Sequence, residues 1–257
     1  MAMLSEHESR QTAYFAAQLE NLSVRAARSG IVLYSDFLTL SQQQTALHAA
    51  KHAGCQLCLY GGSADSQRKI AAFAKDEQLF DTADFPIVIV KAVYDTRFLQ
   101  EALTHRDFLG ALMHLSIRRE MIGDIVVGDG EAYLFMQQKS ASCVLQELER
   151  VKRAAVTLSI AESCPLSAAP NFAESTITVS SMRIDCVVTQ LMRCGRNTAV
   201  DAIRQGAVRI GDAAAEKPDR ILKEGDELSI KGYGKCRIGA AAPTRKGRLA
   251  VTILKYQ

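Results

Sequence analysis

The chain has 257 residues, 48% of them apolar and 23% charged, with a formal net charge of +3 at neutral pH. That length exceeds the ~100–150 residues of a typical domain, and the balance excludes both a disordered chain and a single small module. No run approaches the ~18 apolar residues of a membrane span, and the charged opening MAMLSEHESR lacks the apolar core of a secretory signal, so a cytoplasmic protein is expected.

From Ser5 to Arg28 the apolar spacing predicts a helix, and LSQQQTALHAAKHAG predicts a second, with Ser41 as N-cap and Gly54 as its stop. CQLCLY reads as a short buried strand closed by Gly61-Gly62, and DSQRKIAAFAK as a further helix. Residues 1–82 are therefore expected to form an N-terminal unit of mixed α/β character.

A clearer order follows. FPIVIVKAV is a strand, HRDFLGALMHL a helix, GDIVV and AYLFMQ strands joined at Gly128-Asp129-Gly130, ASCVLQELERV a helix and AAVTLSI a strand. This β-α-β-β-α-β order over residues 83–161 predicts a ferredoxin/RRM-like domain, an arrangement that serves many unrelated functions. Thr104 is expected to cap the first of these helices, with Phe108, Leu112 and Leu115 inward and Gly110 permitting close backbone approach. Residues 162–180, with the prolines of ESCPLSAAPNFAES, are expected as a linker.

Charge is unevenly distributed. Residues 181–257 hold 15 Lys and Arg against 8 Asp and Glu, a net +7, while the first 180 hold 16 against 20, a net −4. A basic end on an otherwise acidic chain points to a polyanion as the partner of that end alone. Within it, RIDCVVTQLMRCGRNTAVDAIRQGAVRIGD sets Ile184, Val187, Val188 and Leu191 on one helical face. After Cys194-Gly195 a second helix starts near Arg196, buries Ala199, Val200 and Ile203, and stops at Gly206 before the strand of Val208 and Ile210.

Arg183 and Arg196 thus stand at helix starts, where free backbone N–H groups and the dipole favour a phosphate. Arg193 and Arg204 stand near helix ends, where contact with RNA and simple complementing of terminal carbonyls are both open readings. Beyond Glu224-Gly225-Asp226, alternating strands carry Lys235 and Arg237, and Arg245, Lys246 and Arg248 form a basic turn before the last strand. Such a turn can follow a phosphate backbone, or can simply keep a sheet edge soluble.

No enzyme signature emerges. HRD at residues 105–107 lacks the Asn, Gly-rich loop and DFG that a kinase requires. His105, Asp107, Glu120 and Asp124 lack an accompanying nucleophile, metal spacing or phosphate cradle, so cap and loop roles are expected for them. Cys55 and Cys58 have no partner pair for zinc, and the seven scattered cysteines imply buried thiols with no disulfide framework. Neither a cofactor nor a metal is expected.

The features RID, GRNTAVDAIRQGAVRIG and LKEGDELSIKG resemble the ribosomal protein S-four-like (αL) RNA-binding domain, expected at residues 181–257. The resemblance implies that Arg183 and Arg196 face RNA, with Gly195 standing where a Ser commonly precedes the second arginine. Together with the Gly61-Gly62 and RKIAAF run and HRDFLGA…RE…IGDI, the whole chain resembles the YlmH family of bacterial RNA-binding proteins. That family's implied role is ribosome-associated quality control, on large ribosomal subunits whose rRNA and peptidyl-tRNA it would contact.

The expected interface comprises Arg183, Arg196, Arg204 and Arg209, with Lys235, Arg237, Arg245, Lys246 and Arg248 secondary. The overall expectation is an α+β, non-enzymatic rRNA- or tRNA-binding protein. Two alternatives differ in kind. An RNA-modifying enzyme of the pseudouridine synthase or methyltransferase class would turn over RNA. A cell-division or translation adaptor would dock its partner through residues 1–160 alone.

Overall fold

The computed structural model describes residues 2–97, 99–167, 172–211, 213–245 and 247–256, with the side chains of the first twelve left aside. With 33% helix and 36% strand, the chain is of the α+β class. It divides into two compact units, residues 13–169 and residues 170–257 with the first twelve.

The first unit begins with α1 (Ala2–Ser29), β1 (Leu33–Leu38), α2 (Leu40–Ala53), β2 (Gln56–Tyr60) and β3 (Lys69–Ala74). Helix α2 is capped at Thr39 rather than Ser41: the Thr39 hydroxyl accepts from Gln42 N, and the Gln42 side chain accepts from Thr39 N. Gly54 closes it in the left-handed conformation, as its position in the sequence implies.

The segment DSQRKIAAFAK is not a helix. Lys69–Ala74 is the central strand of an antiparallel sheet ordered β1-β3-β2. Its Ala71 and Phe73 pack with α1 and α2, while Ile70 and Ala72 pack with the aromatic cluster on the opposite side. A strand buried on both faces has no period-two alternation, and its short apolar run is indistinguishable by pattern from a helix segment.

Next come β4 (Ile87–Tyr94), α3 (His105–His114), β5 (Ile122–Val127), β6 (Glu131–Gln137), α4 (Gln138–Glu147), β7 (Arg150–Val151) and β8 (Ala154–Ala161). The five strands form one antiparallel sheet in the order β5-β6-β4-β8-β7. Phe108, Leu112 and Val144 of the helices bury against Val90, Leu134 and Met136 on one face. Ile89, Tyr133 and Phe135 on the other face bury against Phe37, Ile70 and Phe85. The segments expected as two domains, 1–82 and 83–161, therefore share a core.

The motifs that prompted the family resemblance hold this junction. Asp124 accepts from the backbone N–H groups of Gln67 at 2.6 Å and Arg68 at 3.2 Å. The Arg68 guanidinium donates to the carbonyls of Ile122 at 2.9 Å and Phe37 at 3.0 Å. Gly62 has φ +98°, and a Cβ there would lie 2.5 Å from the Phe135 ring. Asp107 takes the cap role expected of it, accepting from the Thr104 N–H and hydroxyl, whereas Asp124 lies within strand β5 and from there holds the Gln67–Arg68 backbone. At Gly110, by contrast, nothing lies within 4 Å of an added Cβ, so this glycine makes no close backbone approach.

The second unit contains β9 (Phe172–Val179), α5 (Ile184–Met192), α6 (Arg196–Arg204), β10 (Val208–Ile210), β11 (Ala213–Ala214), β12 (Glu227–Ile230), β13 (Gly234–Pro243) and β14 (Leu249–Tyr256). Its antiparallel sheet runs β11-β10-β12-β13-β14-β9. Strand β9 lies inside the stretch expected as a linker, and pairs along its length with β14, from Phe172↔Tyr256 to Val179↔Leu249. Its sequence FAESTITV hides it because an edge strand with one face away from the core buries little. Of its inward residues, Ile177 and Val179 reach the core formed by Val187, Val188, Ile203 and Ile253.

Candidate nucleic-acid interface

Arg183 is the N-cap of α5 and Arg196 the first residue of α6. They meet on one carboxylate that the sequence reading did not single out. Asp185 is 1% exposed; its Oδ1 accepts from Arg183 Nε at 3.0 Å, and its Oδ2 from Arg183 Nη2 at 2.9 Å and Arg196 Nη2 at 2.9 Å. The Arg183 bonds, followed by those of Arg196, hold the Asp185 carboxyl well below the usual carboxylate range despite its burial. Planar forks on a shared acceptor fix two flexible cations at once, and the side chains remain 36% and 63% exposed.

The helix starts differ from expectation in one respect. The first N–H groups of α5 are already bonded: Ile184 N donates to Arg220 O, Asp185 N to Pro218 O and Cys186 N to Asp185 Oδ1. At α6 the N-cap Gly195 supplies no side chain, and no backbone carbonyl among the described residues accepts from Arg196, Asn197 or Thr198. The open helix start is thus that of α6, beside the Arg183–Asp185–Arg196 fork.

Two further expected residues also share a carboxylate. Glu227, 11% exposed at the side chain, bonds Lys235 Nζ at 2.8 Å and Arg237 Nη2 at 3.2 Å, and accepts from the Tyr256 hydroxyl. Arg237 also donates to the Tyr256 oxygen at 2.9 Å and lies 5.3 Å over the Phe172 ring, while Lys235 lies 4.7 Å over Tyr256. Phe172 and Tyr256 meet edge to face at 4.8 Å. Burial raises the Tyr256 hydroxyl pKa, with Glu227 adding to it.

The remaining expected residues are dispersed. Arg245 and Arg248 are exposed at the β13–β14 hairpin tip, where they line an open basin of about 600 Å³ with Thr178 and Thr244. Lys246 lies outside the described residues. Arg204 is exposed in the last turn of α6, and Arg209 is half-buried in the middle of β10. Sequence reasoning missed Asp185, Glu227, Phe172 and Tyr256. The Asp of R-x-D and the acid opening ELSI opposite KCR carried the signal for the first two, since isolated acids among apolar alternation are expected to be paired.

Among the described residues no group of three or more His, Cys, Asp or Glu is placed to hold a metal ion, and no helix is long and apolar enough to cross a membrane. Residues 81–164 match the family model described as "Putative RNA-binding domain in YlmH". The chain is 29% identical over 220 residues, 85% of each chain, to the ribosome-associated protein quality control protein P2 of Bacillus subtilis (strain 168). The cell division protein ylmH from Streptococcus pneumoniae shares the fold over 59% of this chain and 91% of its own, with a TM-score of 0.50 at 22% identity. The resemblance to the YlmH family drawn from the motifs is borne out by these matches, which do not extend to the S-four-like reading of residues 181–257.

Proposed function

We infer that this protein binds RNA of the large ribosomal subunit in ribosome-associated quality control, without itself being an enzyme. The role is that in the name of its Bacillus subtilis relative, and the RNA-binding assignment is that of the family model. The observation that carries the site is the Arg183–Asp185–Arg196 fork beside the open start of α6. One buried carboxylate leaves its two arginines with a net positive charge and a fixed relative position, which suits phosphate oxygens. The C-terminal unit, read as S-four-like, supplies the clamp, with its net +7 drawing the polyanion in.

In the matched domain the elements run as in ferredoxin/RRM-like folds, whose exposed sheet often stacks bases. Here Tyr133 and Phe135 of that sheet are 3% and 0% exposed beneath Phe37 and Phe85. Stacking on that part of the sheet is therefore closed, which favours the C-terminal unit as the principal contact.

The test is sedimentation of the full chain and of an Arg183→Glu, Arg196→Glu variant through a ribosome-separating gradient, probing fractions for tRNA. Comigration of the wild type with tRNA-bearing large subunits, lost in the variant, is expected. Both proteins remaining at the top would remove the ribosome as partner. Neutralising roughly five phosphates predicts a log K slope of about −4 against log salt, and a flat dependence contradicts the reading.

A further inference from the structure

The face of the six-stranded sheet that turns away from α5 and α6 is unused by the fork. Alternation divides the sheet, interrupted in β13 by a bulge between Ile238 and Ala241. Leu228, Cys236, Ile238, Val251 and Ile253 point into the helical core, so their neighbours along each strand point the other way. Register sets Thr178 of β9 opposite Ala250 of β14, Ala250 opposite Ala242 of β13, and Thr176 opposite Thr252. Between the ends this face carries Thr176, Thr178, Ala242, Ala250 and Thr252 as a shallow trough, with Leu254 and Glu174 toward the aromatic end.

Both ends of that trough carry cations. At one end Arg245 and Arg248 line the hairpin-tip basin with Thr178 and Thr244, a lining without a carboxylate. At the other, Lys235 and Arg237 lie over the rings of Tyr256 and Phe172. Thr178 and Phe172 are six residues apart on β9, so the ends are separated by about 20 Å. Glu227 is half-buried under its two cations, leaving Glu174 as the exposed acid on this face of β9 and β14.

We propose that this sheet face, turned away from α5 and α6, is a second RNA surface that takes a single strand, with phosphates at Arg245 and Arg248 and a base stacked at the Arg237–Phe172–Tyr256 end. Single strands suit it for three physical reasons. An arginine plane over aromatic rings is a stacking surface indifferent to base identity. The trough of Thr and Ala side chains admits a backbone closely and offers hydroxyls to it. A duplex hides the base faces that such a surface uses. The proposal rests on the reading that the C-terminal unit binds RNA, and adds where a strand leaving the Arg183–Asp185–Arg196 fork is held.

The experiment measures fluorescence anisotropy of a short unstructured oligouridylate, and of a hairpin duplex, with the full-length chain. Three double variants are compared: Thr176→Glu with Thr178→Glu in the trough, Arg245→Glu with Arg248→Glu at the tip, and Arg183→Glu with Arg196→Glu at the fork. All but Arg183 are exposed, and thermal unfolding of each variant controls for folding. The trough and tip variants are each expected to weaken oligouridylate binding by on the order of tenfold or more, with duplex binding changed less. Engagement of about four cations gives a salt slope near −3 for the single strand. Wild-type oligouridylate affinity in the trough and tip variants, with loss only in the fork variant, overturns the sheet face and leaves the fork standing. Unchanged affinity in all three overturns both, and tighter binding of the duplex overturns the commitment to a single strand.

Discussion

Asp185→Asn is nearly isosteric and tests what the buried carboxylate does. The native carboxylate accepts four guanidinium bonds of 2.9–3.2 Å, two from each arginine. An asparagine offers one acceptor oxygen and directs an NH₂ donor at donors. Removing one partner of a buried pair costs about 3–5 kcal/mol, but arginines exposed to 36% and 63% recover hydration, so about 2–3 kcal/mol is expected. For a unit of this size that lowers its melting temperature by roughly 10–20 °C, measured by calorimetry on the full chain. The same change raises the net charge of residues 181–257 from +7 to +8. If affinity followed long-range charge alone, RNA binding would strengthen; if Asp185 positions the fork, binding weakens despite the added charge. The sign of the affinity change decides, and tighter binding with an unmoved melting temperature refutes the positioning role. Acid behaviour gives an independent check. Because the folded carboxyl is held below its usual range, its contribution is complete above about pH 4 and is lost as pH falls below that, a limb absent from Asp185→Asn.

Gly62→Ala should destabilise the first unit by about 2–4 kcal/mol, since φ +98° disfavours any side chain and the new Cβ meets Phe135 at 2.5 Å; an unchanged melting profile contradicts this. Glu227→Gln should cost about 1–3 kcal/mol and loosen Lys235 and Arg237, seen as faster hydrogen exchange at the β12–β13 pairing. Cys236 is buried, and its thiol is pushed up to about 11 by that burial. It should therefore resist iodoacetamide at pH 8 in the folded chain and react once denaturant opens the unit. Labelling of Cys236 at native rates comparable to Cys143 would contradict the packing.

Legibility followed the number of faces each element buries. Helices α5 and α6 were readable because each buries one stripe, from Ile184 to Leu191 and at Ala199 and Ile203, and presents polar residues elsewhere. Strands β4, β5, β6 and β8 were readable from their order and from the Gly128–Gly130 turn. Strand β3, buried on both faces, and β9, at an edge with its outer face exposed, are two extremes at which alternation fails, and both were misread; β1 was not anticipated, and the two-residue β7 lies within the segment expected as a helix. The basic residues of the interface were likewise visible as charges. Their grouping was not, because Asp185 and Glu227 act across eleven and ten residues of sequence through the packing of α5 on α6 and the pairing of β12 with β13.

That grouping bears on how a modest net charge can be directed. Fifteen cations in residues 181–257 spread evenly would attract any polyanion and orient none. Two carboxylates, Asp185 buried and Glu227 half-buried, instead each tether a pair of cations, so that charge is lost from the total but gained in fixed geometry. For Lys235 and Arg237 the tether also sets the cations over Tyr256 and Phe172, joining electrostatic attraction to a stacking surface. The covered aromatics of the five-stranded sheet show the opposite use of similar residues: Tyr133 and Phe135 contribute to a core and are withdrawn from binding. Under the proposed second RNA surface, two sheets in one chain divide aromatic residues between stability and recognition according to what lies on their outer faces. The division follows from burial alone, which is why neither could be assigned from strand sequence.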